Sequence, residues 1–315
     1  MAAITQLAAR PASGADPTAR SRYRTVGLAL ALVGMMGAVV AVIGNFVAAA
    51  NIDATNSYQE TLAWTFGLSI FSFGVVKIAI AVILMGIIVR LWFRVDAIKG
   101  ALATLHGHSG TPPATGTVKT DWRTATVTDA PPKLLPIHRM ARLMWRPMLA
   151  MGAMALTAGL ISSWVWADKT PATEGFRQAA AFTQGVEFLG EALLLSGIAF
   201  LLGTILAGLR EGGGEVQASL GLPATTLKMP ATAKAFVGLM MMGMMAGILQ
   251  FILYLVQIGN ADDPASFAAW GNWLGPFREL ALGLILAGIV LALISIGNVL
   301  AFQFDRVKSI IRTGA

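Results

Sequence analysis

The sequence contains no cysteine, and its three histidines all lie between two of its long apolar runs. Without cysteine, a chain can form no disulfide, no iron–sulfur cluster and no thiolate metal site. Because His106, His108 and His138 lie outside the apolar runs, a haem held by two histidines within a bilayer is excluded as well. We therefore expect no cofactor and no resident metal.

Charged residues are also scarce. They make up 12% of the 315 residues, whereas 56% of residues are hydrophobic and the mean hydropathy is +0.69. Six apolar runs are long enough to cross a bilayer as helices, which takes about 20 residues each. Their apolar residues are continuous and not alternating, which excludes a membrane barrel. We predict an all-α, polytopic integral membrane protein with six transmembrane helices, at 25–50, 66–92, 144–167, 183–209, 234–260 and 277–303.

The few charges are distributed unevenly among the connections. Basic residues precede the first run, separate the second from the third and the fourth from the fifth, and follow the sixth. By the positive-inside rule, this bias predicts that both chain ends are cytoplasmic. The Ala- and Gly-rich composition and the short termini favour a bacterial inner membrane. The charge bias also accounts for the formal charge of +7 without a nucleic-acid-binding surface. The remaining connections are mainly acidic, with Asp53, Glu60, Asp168, Glu174, Asp262 and Asp263.

The six runs group into three similar pairs. Phe182 precedes Glu191 by nine residues, and Trp270 precedes Glu279 by nine, each within a similar even-numbered run. The first pair fits more loosely and places Lys77 where the others have glutamate. Two-helix units keep their orientation when repeated, so this pattern predicts three parallel helical hairpins. The predicted divisions are a flexible cytoplasmic arm (1–24), hairpin repeats 25–102, 144–222 and 223–315, and a Pro-rich cytoplasmic linker (103–143).

Small residues and methionines are concentrated in the odd-numbered runs. Glycines let helices approach closely, so this distribution predicts that the odd runs form the inner ring of the bundle. Thioethers can bind Cu(I), but methionine is also an adaptable packing residue. Since no histidine or cysteine accompanies these methionines, we favour packing over a copper path.

The linker 103–143 is long and rich in proline, a composition typical of functional or disordered connections. Its basic end adjoins the membrane, where cations attract anionic headgroups. Two interpretations stay open: a tether that lies against lipid, and a docking segment for a cytoplasmic partner.

Four ionisable residues lie inside the apolar runs: Lys77, Glu187, Glu191 and Glu279. Such groups are costly in a membrane and are candidates for function. Glu187 and Glu191 are four residues apart, so they share one helix face. The cluster could bind protons or cations, or Lys77 could pair with Glu191 or Glu279 to hold the hairpins together. We favour structural pairing, since the carboxylates are expected near the outer water boundary; Arg278 is the expected partner of Glu279.

No motif for phosphate binding, zinc hydrolysis or a nucleophilic serine is present, so we expect no enzyme. The favoured interpretation is a non-catalytic scaffold or anchor subunit of a larger membrane complex, such as an energy-converting or respiratory one. Its expected partners are other membrane subunits, lipids and a cytoplasmic protein at 103–143, but not nucleic acid. The alternative is a small transporter or channel that uses Lys77, Glu191 and Glu279 near a pseudo-threefold axis. Against transport, Pro147 and Pro276 are expected at the starts of runs, so that no helix is broken at its middle.

Overall fold

The computed structural model describes residues 17–50, 55–106, 127–128, 136–219, 226–227 and 229–313. These residues form six long helices and one short antiparallel strand pair, β1 (Val127–Thr128) and β2 (Thr226–Leu227). The helices are α1 (Pro17–Ala50), α2 (Thr55–His106), α3 (Pro136–Ala167), α4 (Glu174–Ser219), α5 (Ala231–Ile258) and α6 (Pro264–Thr313).

Each of the six helices contains a stretch that is long and apolar enough to cross a bilayer. The prediction of six spanning helices is therefore confirmed. Helices also cover parts of the segments predicted as arm and linker, namely residues 17–24, 103–106 and 136–143. The rest of these two segments, apart from β1, lies outside the described residues. We call the end where α3 and α5 begin the basic end, and the end with loops 168–173 and 259–263 the acidic end.

Helix α4 is the centre of the bundle. It packs against α2, α3, α5 and α6, whereas α1 packs mainly on α2. Over 18 residues of its apolar stretch, 83% of α4 is buried, against at most 28% over the corresponding parts of the other five helices. The prediction that the odd-numbered runs form the inner ring is wrong, because α4 is the fourth run.

The glycines of the odd-numbered runs serve a different purpose, which is close approach within each hairpin. A Cβ on Gly34 would lie 2.7 Å from the carbonyl oxygen of Ser72 in α2. One on Gly152 would lie 2.9 Å from the backbone nitrogen of Leu194 in α4. Each of these odd helices therefore packs backbone to backbone on the helix that follows it, as small residues allow in lipid. Repetition of the hairpin itself stays a prediction.

Replacing Gly152 by leucine is expected to lower the free energy of unfolding by about 3 kcal/mol, because the new side chain would meet both the side chain and the backbone nitrogen of Leu194, each at 2.9 Å. Gly283→Leu is the matched control, since nothing lies within 4 Å of a Cβ at that position. Thermal unfolding in detergent measures both. Equal stability of the two variants would contradict the tight α3–α4 contact.

The even-numbered helices are longer than a bilayer requires. Helices α2, α4 and α6 contain 52, 46 and 50 residues, against 34, 32 and 28 for the odd ones. At 1.5 Å per residue, they continue for about 15 to 27 Å beyond their apolar stretches at the basic end. The site described below lies within these three helices.

Candidate functional site

Three charged side chains from α2, α4 and α6 meet at the centre of the bundle. Each carboxylate oxygen of Glu191 accepts from a different cation: Lys77 Nζ donates to Oε1, and Arg278 Nη2 donates to Oε2 at 2.9 Å. The side chains of Lys77, Glu191 and Arg278 are only 19%, 8% and 20% exposed. The structure thus unites the predicted pair Lys77–Glu191 and adds a second cation.

This cluster lies deep in the apolar part of the bundle. The apolar stretch of α4 runs from Glu174 to Leu209, so Glu191 lies at its midpoint, about 26 Å from either end. The expectation that these charges lie near the outer water boundary is therefore wrong for Glu191. Charges at such a depth are costly and mark functional sites by default, which removes the reason for favouring a purely structural pair.

Glu187 lies one helical turn before Glu191 and is completely buried. Neither of its carboxylate oxygens has a hydrogen-bond partner in the described part of the chain. Its carboxyl lies at the junction of three helices: a Cβ on Gly67 of α2 would be 3.0 Å from Oε1, and one on Gly159 of α3 would be 3.3 Å from Cδ. Two glycines thus make room for this carboxyl without offering it a donor.

The two carboxyl groups have opposite surroundings. An ionised carboxylate that is buried without a hydrogen bond costs far more free energy than a neutral carboxyl group in the same place. Glu191, by contrast, has a cation on each oxygen, and such charge-assisted hydrogen bonds are the strong ones. One turn of α4 therefore holds one carboxyl group with two cations and one without a partner among the described residues.

Further buried polar atoms lie between Glu187 and the acidic end of the bundle. The hydroxyl of Thr183, one turn before Glu187, and the indole nitrogen of Trp166 are both buried without a partner among the described residues. Ile70, Leu156 and Leu194 form a buried apolar cluster beside the site. Unpaired polar atoms lie on both sides of the carboxyl pair, because the buried hydroxyl of Ser196, five residues after Glu191, also has no partner among the described residues.

Glu279 does not join the other three predicted residues, since it is exposed on the surface of the bundle. Its neighbour Arg278 turns inward and pairs with Glu191, and not with Glu279 as we expected. Arg278 shares its helix face with the buried residues Leu274, Ala281 and Ile285, at spacings of four, three and seven. The sequence alone does not mark this face, because exposed residues of α6 such as Leu280 and Leu286 are equally apolar.

Pro276 lies inside α6, twelve residues after the helix begins at Pro264. Proline has no N–H, so the carbonyl of Asn272 loses its helical hydrogen bond. Pro276 itself lies two residues before Arg278, one of the two cations of the site. The prediction that Pro276 stands at a helix start is wrong, because α6 begins earlier than the hydropathy pattern indicates. Pro147 likewise lies inside α3. The absence of internal prolines therefore no longer counts against transport.

The described histidine and methionine side chains do not belong to this cluster. His138 lies within α3, where it is buried, His106 is the last residue of α2, and His108 lies outside the described residues. Met240 belongs to the main buried core, with Met148 and Met244 packed against it. Among the described residues, no three histidine, aspartate or glutamate side chains lie close enough to bind a metal together.

One comparison with known proteins found a relative of this chain. The chain is 30% identical over 182 residues to the Na(+)/H(+) antiporter NhaA of Rhizobium etli, an alignment that covers 58% of this chain and 42% of the antiporter. The chain thus spans less than half of the length of this relative. No family model and no solved structure matches the chain.

The similarity to an antiporter contradicts the interpretation as a non-catalytic scaffold or anchor subunit. It supports the alternative, a transporter, and favours transport over enzymatic catalysis. Together with the six long apolar helices, it identifies the chain as a multi-pass membrane protein. The scaffold interpretation depended on the absence of redox ligands, which does not distinguish a scaffold from a transporter.

Proposed function

We propose that the protein exchanges a monovalent cation for protons across the membrane, and that Glu187 and Glu191 bind both. The observation that carries the proposal is the pair of carboxyl groups one turn apart at the middle of α4, one paired with two cations and one buried without a partner. The similarity to an Na(+)/H(+) antiporter supports the same class of function.

The proposed exchange follows from counting charge in the cluster. With Glu187 protonated, one carboxylate faces two cations, and the net charge is +1. When the proton leaves Glu187, two carboxylates face two cations and the net charge is zero. A monovalent cation that then binds the two carboxylates restores +1. The proton and the cation are therefore equivalent occupants of the site and compete for it, with one proton released for each cation bound.

A cation that binds Glu191 displaces Lys77 or Arg278 from one carboxylate oxygen, and that side chain returns when a proton replaces the cation. Lys77 has a long, flexible side chain, and Arg278 follows the weakened turn of α6 at Pro276. Both cations can therefore act as internal competitors that expel the bound ion. We include in the proposal cytoplasmic chain ends, a bacterial inner membrane and three parallel hairpins, as the charge and repeat patterns predict. Association with other subunits, or with a cytoplasmic partner at 103–143, stays a prediction.

The direct test uses purified protein in liposomes that contain a pH-sensitive dye and carry an imposed pH gradient. Addition of Na⁺, Li⁺ or K⁺ is expected to dissipate the gradient at a rate that increases with the amount of protein. Since the proposed stoichiometry is one for one, clamping the membrane potential with valinomycin and K⁺ should leave the rate with Na⁺ unchanged. The absence of cation-dependent proton movement with all three ions would overturn the proposal.

Glu187→Gln is expected to abolish this exchange while the protein stays folded. Glutamine keeps the shape of the side chain but cannot release a proton, and the ion pairs of Glu191 are untouched. Glu279→Gln is the matched control, because that glutamate is exposed and should be dispensable. Dye assays and thermal unfolding on both variants measure this. Normal exchange by Glu187→Gln would show that this residue carries no proton.

A further inference from the structure

A second buried feature lies at the basic end of the bundle, far from the carboxylate cluster. Helices α3, α4, α5 and α6 line an apolar pocket there that opens toward the surface of the bundle. Small residues from three helices keep it open: Ala141 of α3, Ala199 and Gly203 of α4, and Ala233 of α5. Phe236 and other apolar side chains complete the wall.

The pocket lies where the apolar stretches end. Ala233 lies two residues after α5 begins, and Val299 lies one residue before the apolar stretch of α6 ends at Leu300. In a bilayer, this depth is the boundary between acyl chains and headgroups. The molecules most abundant at the opening of the pocket are therefore the lipids of the leaflet at the basic end.

Cations border the same level of the bundle. Arg139, Arg142 and Arg146 are exposed, and their spacings of three and seven place them on one face of α3. That face adjoins the face of α3 that carries His138 and Ala141 into the pocket wall. The guanidinium carbon of Arg146 lies 5.0 Å from the ring centre of Trp145, a pairing suited to the membrane interface. An apolar pocket and a positive rim thus occur together.

We propose that this pocket binds one acyl chain of an anionic phospholipid whose headgroup lies against the arginines of α3. The apolar wall selects a hydrocarbon chain, because it offers almost no polar group to a soluble ligand. The rim selects the negative headgroup, since each basic residue near the membrane surface contributes about 1 kcal/mol of attraction. The proposal uses no residue of the carboxylate cluster and does not depend on the transport function.

The test compares lipids retained by the full chain after purification in mild detergent supplemented with equal amounts of phosphatidylglycerol and phosphatidylcholine. Mass spectrometry of the intact complex is expected to show one tightly held phosphatidylglycerol per chain. Arg139→Gln combined with Arg146→Gln should weaken its retention about 30-fold, from about 1 kcal/mol per arginine. Equal retention of the two lipids by the unmodified protein would overturn the proposal.

A second pair of variants tests the pocket itself. Ala233→Phe fills the pocket and should abolish retention, whereas Ala235→Phe, on the exposed side of the same helix, should leave it unchanged. If Ala233→Phe retains as much phosphatidylglycerol as the control, or raises the unfolding temperature without changing the lipid content, the pocket is only a packing void and the proposal is wrong. The arginine variants lie on the surface and keep the test valid if Ala233→Phe fails to fold.

Discussion

Replacing Glu191 by glutamine is expected to reduce cation–proton exchange to the level of protein-free liposomes and to lower the free energy of unfolding by about 3–5 kcal/mol. The substitution removes the anion that both Lys77 and Arg278 contact, and it leaves two cations facing each other in the apolar centre of the bundle. Removing one partner of a buried ion pair carries a cost of this size. Thermal unfolding and the dye assay on the same preparation measure the two effects.

A double variant separates the two effects. Glu191→Gln combined with Lys77→Met removes one of the excess cations, so it should recover much of the lost stability but no exchange. Exchange by this folded double variant would show that Glu191 only holds the helices together. Loss of exchange in a stable protein is the result that the proposed function requires.

The second large effect is expected when both cations are removed. Lys77→Met or Arg278→Met alone leaves Glu191 one partner, so each should have a moderate effect on stability. The double variant leaves a buried carboxylate with no cation, and its loss should exceed the sum of the two single losses by about 0.5–3 kcal/mol, the coupling usual for residues in one network. Chemical unfolding in detergent, arranged as a double-mutant cycle, measures this excess.

Lys169→Met is the matched control for these variants, because Lys169 is exposed in the loop before α4. It should change neither stability nor exchange. Strictly additive losses for Lys77→Met and Arg278→Met would mean that the two cations do not share Glu191, and the charge counting on which the proposed exchange depends would then fail.

Hydropathy alone was sufficient to predict the spanning helices. Lipid provides no hydrogen-bond partners, so a continuous apolar run of sufficient length has few alternatives to a helix. The spacing of Glu187 and Glu191 correctly placed both carboxylates one turn apart on one helix face, although the burial of that helix was not predicted. The pairing of Lys77 with Glu191 was also among the sequence predictions, although Glu279 was considered as an equal partner for the lysine.

The position of each helix within the bundle was harder to predict, because lipid is as apolar as a protein core. In α6, the exposed residues Leu280 and Leu286 are as hydrophobic as the buried Ile285. The same ambiguity hid the inward face of Arg278. The repeat pattern then misled the prediction, since it matched Glu191 to Glu279 when the structure turns the adjacent residue toward the site.

The prediction of a scaffold subunit was wrong because it depended on where helices begin and on which ligands are absent. The hydropathy pattern marks where the apolar run begins and not where the helix begins, so it predicts Pro276 at a start although α6 begins at Pro264. The absence of haem or thiolate ligands was informative about redox chemistry only. Neither observation bears on whether buried carboxylates bind ions.

The length of α4 has a mechanical consequence. From Glu191 to its last residue, Ser219, the helix extends for about 42 Å, mostly as an unbroken rod. A rocking motion of about 10° that pivots at the carboxylates would move the far tip by about 7 Å. That amplification makes the tips of the long helices the best places for spin labels. Because the chain has no cysteine of its own, a single cysteine introduced at a tip would be the only residue that such a label modifies.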